Sequence, residues 1–134
     1  MEIKKITNNI LTFIIKRFIE IFGFCVSLLG LALLASLLTY SPGDPNFIFS
    51  ENTEIKNILG YRGSFISDFF FQSIGLISII FAIGLFFNGV IIILLSKKVF
   101  RFVENLFYSI LYSITASLFF STYYKNSFWL SING

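Results

Sequence analysis

The run Ile21-Phe22-Gly23-Phe24-Cys25-Val26-Ser27-Leu28-Leu29-Gly30-Leu31-Ala32-Leu33-Leu34-Ala35-Ser36-Leu37-Leu38-Thr39-Tyr40-Ser41-Pro42-Gly43 contains no charged side chain in 23 residues. A helix rises 1.5 Å per residue and needs roughly 20 apolar residues to cross about 30 Å of hydrocarbon. Outward from this run the pattern repeats. Residues 69–96 and 105–124 are also free of charge, over 28 and 20 residues. In lipid each backbone polar group must be satisfied within its own segment, so runs of this length are helices. Membrane strands would be about ten residues of alternating polarity, and nothing here alternates. The expected fold is therefore all-α: an integral membrane helical bundle with three transmembrane helices at about 21–40, 72–95 and 105–124.

Composition agrees. The chain has 134 residues, of which 56% are hydrophobic, 19% aromatic and only 13% charged, with a mean hydropathy of +0.84. Soluble domains are about 45–50% apolar and about 25% charged, and a domain this small has too little interior to hide the excess. A disordered chain needs the opposite balance, low hydrophobicity and high charge. Histidine is absent and Cys25 is the single cysteine. An internal disulfide is thereby excluded, and zinc chemistry lacks its usual ligands. Within its apolar run Cys25 reads as a small core or lipid-facing hydrophobe. No G-x-x-x-x-G-K-[ST] loop, G-x-S-x-G elbow or internal repeat occurs. The expectation is a non-enzymatic chain without catalytic, cofactor-binding or metal-binding residues.

Basic residues in short flanks set orientation. Lys4, Lys5, Lys16, Arg17, Lys97, Lys98 and Arg101 lie on one side, against Lys56, Arg62 and Lys125 on the other. This predicts a cytoplasmic N-terminus, an inner loop over 97–104, an outer loop over 41–68 and an outward-facing tail over 125–134. The net charge of +3 is then topological and implies no nucleic-acid contact. A cleaved signal peptide competes for residues 1–40. Its apolar core is about 7–15 residues with small residues before the cut, which favours an uncleaved anchor here. Residues 1–20 form a basic arm in which Ile3, Ile6, Ile10, Phe13, Ile14 and Phe18 recur at helical spacing, suited to an anionic leaflet.

Four further features stand out. Pro42-Gly43 suits the centre of a type II turn. Asp44 and Asp68 read as turn or helix-start acids and solvated charges. In the third span Ser109, Ser113, Ser117 and Ser121 repeat every four residues, a small-residue ridge for helix–helix packing. Shorter versions occur at Gly23/Ser27, Ala32/Ser36 and Ser78/Ala82. Asn88 is the one strongly polar side chain well inside a span, and a hydrogen bond fixing helix pairing accounts for it better than a solute path does.

Two stretches of the outer loop carry a resemblance. Leu37-Leu38-Thr39-Tyr40-Ser41-Pro42-Gly43-Asp44-Pro45-Asn46-Phe47 and Asn57-Ile58-Leu59-Gly60-Tyr61-Arg62-Gly63-Ser64-Phe65-Ile66-Ser67-Asp68 resemble the N-terminal membrane domain of the FtsK/SpoIIIE family of bacterial DNA translocases. In that family the first helix ends in Tyr-Ser-x-x-Asp-Pro-Ser/Asn. The second is preceded by Asn-x-x-Gly-x-x-Gly-Ala-x-x-Ala-Asp. The signature residues are thus Tyr40, Ser41, Pro42, Asp44, Pro45, Asn57, Gly60, Gly63 and Asp68; Ser64 and Ser67 stand where alanine is usual. The resemblance covers about residues 20–95, and the third span matches in hydropathy and position.

The resemblance implies a four-span inner-membrane anchor that positions a cytoplasmic DNA-pumping ATPase at the division septum for chromosome segregation. The partners it implies are the lipid bilayer, further copies of the chain and divisome membrane proteins. With three spans and no motor, the chain is expected to be part of a longer protein, its tail leading toward another span. Two rival readings are a small transporter or channel subunit, resting on Asn88, and a holin-like or generic small membrane protein.

Overall fold

The computed structural model describes residues 2–45, 54–95 and 99–123. Among these the chain forms α1 (Glu2–Leu38), α2 (Gly60–Ile74), α3 (Ile77–Leu95) and α4 (Val99–Tyr123), and no strand. Three helices contain segments long and apolar enough to cross a membrane: Ile6–Leu38, Ile77–Leu95 and Arg101–Tyr123, of mean hydropathy 2.5, 2.7 and 1.2. The chain is an all-α membrane protein. Phe- and Ile-rich α3 is helical despite the β propensity of those residues, because length and lipid override it.

Helix boundaries differ from the sequence expectation in three places. The arm expected over 1–20 and the span expected over 21–40 are one continuous helix, since nothing near residue 20 breaks it. Its 37 residues extend about 55 Å, well beyond a perpendicular crossing. Side chains pair along the helix there, Arg17 donating to Glu20 at 2.6 Å with its guanidinium 5.0 Å from the Phe13 ring centroid. Next, the segment expected as one span over 72–95 is divided at Gly75. Its φ of 62° is left-handed backbone that glycine adopts without strain, and its N–H donates to the Phe71 carbonyl at 2.9 Å. The preceding α2, at 15 residues, covers about 22 Å and is too short to span. Lastly, α4 is already formed at Val99, inside the loop expected over 97–104. The tail expected over 125–134 lies outside the described residues.

The bundle is held at an α1–α3 crossing built on glycine. A Cβ on Gly89 would press on the backbone nitrogen of Ser27 and stand 2.7 Å from its Cα. One on Gly30 would stand 2.7 Å from the Phe86 Cα. Gly23, one turn before Ser27, approaches Ile92 in the same way. Lipid gives helices little hydrophobic reason to associate, so close backbone packing between small residues supplies the attraction. Toward the loop end of the bundle, Leu33, Leu37, Phe71 and Ala82 form a small core. Elsewhere large apolar side chains face outward, including Phe24, Leu29, Phe87 and Leu94, as expected where the solvent is lipid. Cys25 is exposed on α1.

Candidate functional site

The signature residues converge where α1 ends. The last four carbonyls of a helix have no partner within it. Here Thr39 N–H takes the Ala35 carbonyl at 3.2 Å and Tyr40 N–H that of Leu37 at 3.3 Å. The Ser36 carbonyl is instead taken by the side-chain amide of Asn57 at 2.9 Å, which also reaches the Thr39 carbonyl at 3.4 Å. Asn57 therefore caps α1 from 18 to 21 residues away in sequence. Its other amide atom, Oδ1, accepts from Leu59 N–H at 3.1 Å, and its carbonyl accepts from Gly60 N–H at 2.9 Å.

Asp44 holds Asn57 in place. Its two carboxylate oxygens accept the backbone N–H groups of Lys56 and Asn57 at 3.0 and 2.8 Å. The turn that delivers Asp44 is closed by its own N–H on the Ser41 carbonyl at 3.1 Å, with Pro42 and Gly43 at the centre. This is not the expected type II turn, which requires a positive φ at Gly43. The positive-φ glycines among the described residues are Gly60 and Gly75.

The start of α2 closes the knot. Gly60 turns the chain at φ 65° into a helix that lacks a side-chain cap. Gly63 lies against Asn57, where any Cβ would collide with the Asn57 Oδ1, and its carbonyl accepts from Ser36 Oγ at 2.6 Å. Ser64 Oγ donates to the Pro45 carbonyl at 2.8 Å. Deeper in α2, Asp68 accepts from the Tyr40 hydroxyl at 3.1 Å and from Gln72 Nε2 at 2.7 Å. The Tyr40 ring rests on Phe71, centroids 4.7 Å apart. Burial first, and then the Asp68 carboxylate, push the Tyr40 hydroxyl pKa up to about 12.

Asp44 and Asp68 are therefore not the solvated charges or helix-start acids expected from sequence. They are 6% and 5% exposed, with hydrogen-bond donors standing in for water. Sequence reading also missed Ser36, Thr39, Ser67 and Gln72 as members of the knot. From sequence Ser36 read as a small packing residue beside Ala32 and Ser67 as a departure from the family's alanine, and neither reading points to a hydrogen-bond partner. Among the described residues every buried side-chain nitrogen and oxygen has a partner.

The serine ridge of α4 is split by the fold. Ser113 is buried, Ser109 and Ser117 are half-buried and Ser121 is exposed. Ser113 Oγ bonds its own helix at the Ser109 carbonyl, 2.8 Å away. The bond between α3 and α4 comes from asparagine: Asn105 Nδ2 donates to Asn88 Oδ1 at 3.1 Å, and Asn88 Nδ2 donates to the Gly84 carbonyl at 2.8 Å.

Residues 15–133 match the family described as the 4TM region of DNA translocase FtsK/SpoIIIE. The chain belongs to that family. Within it, the chain is 36% identical over 69 residues to the DNA translocase FtsK of Rhizobium meliloti, which is 51% of this chain and 8% of that protein. It is 33% identical over 64 residues to that of Rickettsia bellii, 48% of this chain and 8% of that protein. The match to that of Azospirillum brasilense is 34% over 65 residues, 47% of this chain and 10% of that protein. The chain thus spans about a tenth of the FtsK relatives' length, and what it matches is the membrane region. No solved structure matches it.

Proposed function

We propose that this chain is the membrane-anchoring domain of a cell-division DNA translocase. In this reading it holds a cytoplasmic DNA-pumping ATPase at the septum of the bacterial inner membrane during chromosome segregation. The observation that carries the reading is the match of residues 15–133 to the 4TM region of DNA translocase FtsK/SpoIIIE, in a chain with three helices able to cross a membrane among its described residues. The anchor works without cofactor or catalytic residue and does not touch nucleic acid. Its partners are lipid, further copies of itself and septal membrane proteins. The excess of basic residues in the arm and in 97–104 supports a cytoplasmic N-terminus, with the Asn57 knot on the outer face.

A fluorescent protein fused to the N-terminus tests localisation. A band at the division site is expected. Diffuse membrane fluorescence, with lysis on overexpression, would instead indicate a holin-like protein. Orientation is tested with a membrane-impermeant thiol reagent on intact spheroplasts, using Glu54→Cys and Asn8→Cys, each in a Cys25→Ser background. Labelling at position 54 alone is expected, and labelling at position 8 alone would reverse the orientation.

A further inference from the structure

Between the 97–104 ends of α3 and α4 lies a cavity of about 220 Å³ lined by Asn88, Ile92, Leu95, Arg101, Phe102 and Asn105. Arg101 makes no ion pair among the described residues. Asn105 uses one of its two amide protons on Asn88, leaving the other. The cavity is thus an apolar pocket with an unneutralised guanidinium and a spare amide donor at its rim. Lys97 and Lys98 precede it in sequence, and Glu104 is the one acid of that connection.

Asn105 also lines a second, larger groove of about 470 Å³, which follows α4 through Tyr108, Ser109 and Ser113 to Phe120, with Ile80 and Phe81 of α3 opposite. From Asn105 to Phe120 the helix rises about 22 Å, more than the roughly 15 Å depth of one hydrocarbon leaflet. The Ser113 hydroxyl at the groove floor is bonded to its own helix, so it presents no unpaired donor to a hydrocarbon chain. The covering is also thin on this side. Only 6% of the α4 span is buried in the protein, against 39% for that of α1.

We propose that this pair of cavities binds one anionic phospholipid. Its phosphate sits on Arg101 and Asn105, and an acyl chain follows the groove along α4. Charge complementarity selects the anionic head group, since basic pockets between membrane helices attract such lipids. The aqueous-end pocket and the hydrocarbon-length groove, joined at Asn105, select a lipid over a free anion. The site depends on the packing of α3 and α4 and stands apart from the translocase reading.

The test is native mass spectrometry of the full purified chain in detergent, titrated with phosphatidylglycerol and with phosphatidylcholine of matched acyl chains. Phosphatidylglycerol is expected to be retained about fivefold better, the effect of one basic side chain near an anionic surface. Arg101→Gln should abolish the preference and Arg101→Lys should keep most of it. Arg62→Gln, which alters an exposed cation of α2, should leave it unchanged. Ser113→Leu, which fills the groove, should lower retention of both lipids. Glycerol 3-phosphate, a head group without chains, should not displace bound lipid. Equal retention of the two lipids, an unchanged preference in Arg101→Gln, or displacement by glycerol 3-phosphate would overturn the proposal.

Discussion

The side-chain amide of Asn57 donates to the carbonyl of Ser36 at 2.9 Å, and so ends α1 with a residue 21 positions away. This relationship joins the two halves of the family signature. The Tyr40–Pro45 half supplies Asp44, which orients Asn57, and the 57–68 half supplies Asn57 and the Gly63 surface against it. Truncating Asn57 to alanine keeps the backbone N–H that Asp44 accepts but leaves the buried Ser36 carbonyl without its donor and Leu59 N–H without its acceptor. A loss of about 1–3 kcal/mol is expected, read as a lower unfolding midpoint in detergent. Asn57→Asp should be at least as damaging, because it keeps the acceptor for Leu59 N–H but sets a carboxylate against two carbonyls and Asp44. Wild-type stability in Asn57→Asp would refute the donor role.

The α1–α3 crossing gives a paired prediction from two glycines of one helix. A methyl at Gly89 meets the backbone of Ser27, which cannot rotate away, whereas a methyl at Gly84 has its nearest neighbour, Ser109 Oγ, at 4.0 Å. Gly89→Ala should therefore cost about 1–3 kcal/mol through overpacking. Gly84→Ala should be neutral or stabilise by up to about 1 kcal/mol through helix propensity. Unfolding of both variants in mixed micelles decides the matter. An equal effect of the two would mean that the helices are not in backbone contact at Gly89.

How much of this was legible in the sequence depends on distance along the chain. The three spans follow from uncharged runs, and Gly23/Ser27 and Ser78/Ala82 were legible as small-residue packing sites. The Gly75 break was not, because a lone glycine inside an apolar run carries no sign of φ. The knot was half legible. Tyr40, Asp44, Asn57 and Asp68 stood out as a pattern, but their pairing crosses 13 to 28 residues, and no local rule ties a carboxylate to one remote N–H. Burial of Asp44 and Asp68 was illegible for the same reason. An acid in a loop reads as solvated until the donors that replace water are found. On the α4 ridge the position of Ser113 was legible as a buried small residue, but its hydroxyl bonds its own helix rather than a neighbour, as mid-helix serine commonly does.

The raised Tyr40 pKa gives the molecule a defined alkaline limit. An unfolded tyrosine loses its proton near pH 10, and the folded one holds it to about pH 12. Between those values the folded state binds more protons than the unfolded state, so stability falls as pH rises. The contribution is fully present below pH 10 and is lost through the folded value. The wild type should therefore show a falling thermal midpoint between pH 10 and 12, and Tyr40→Phe should flatten that part of the curve. The phenylalanine variant also leaves Asp68 with one donor fewer, so it should be less stable at neutral pH. Identical slopes for the two proteins would mean that the Tyr40–Asp68 contact does not control the alkaline transition.

Asn88 and Asn105 supply the last prediction. A lone asparagine in a span could serve a solute path, but here both of its amide atoms are engaged, Oδ1 by Asn105 and Nδ2 by Gly84. Its expected role is to hold α4, which is buried far less than its neighbours. Hydrogen bonds between membrane helices contribute about 0.6 kcal/mol on average and up to about 1.7. A double-mutant cycle with Asn88→Leu and Asn105→Leu should return a coupling in that range. Each single variant should also lower the yield of a cross-link between cysteines placed at Gly84 and Ser109. Additive effects in the cycle would mean that the two amides act separately. Loss of solute flux from reconstituted vesicles on Asn88→Leu would instead assign the pair to a transport path.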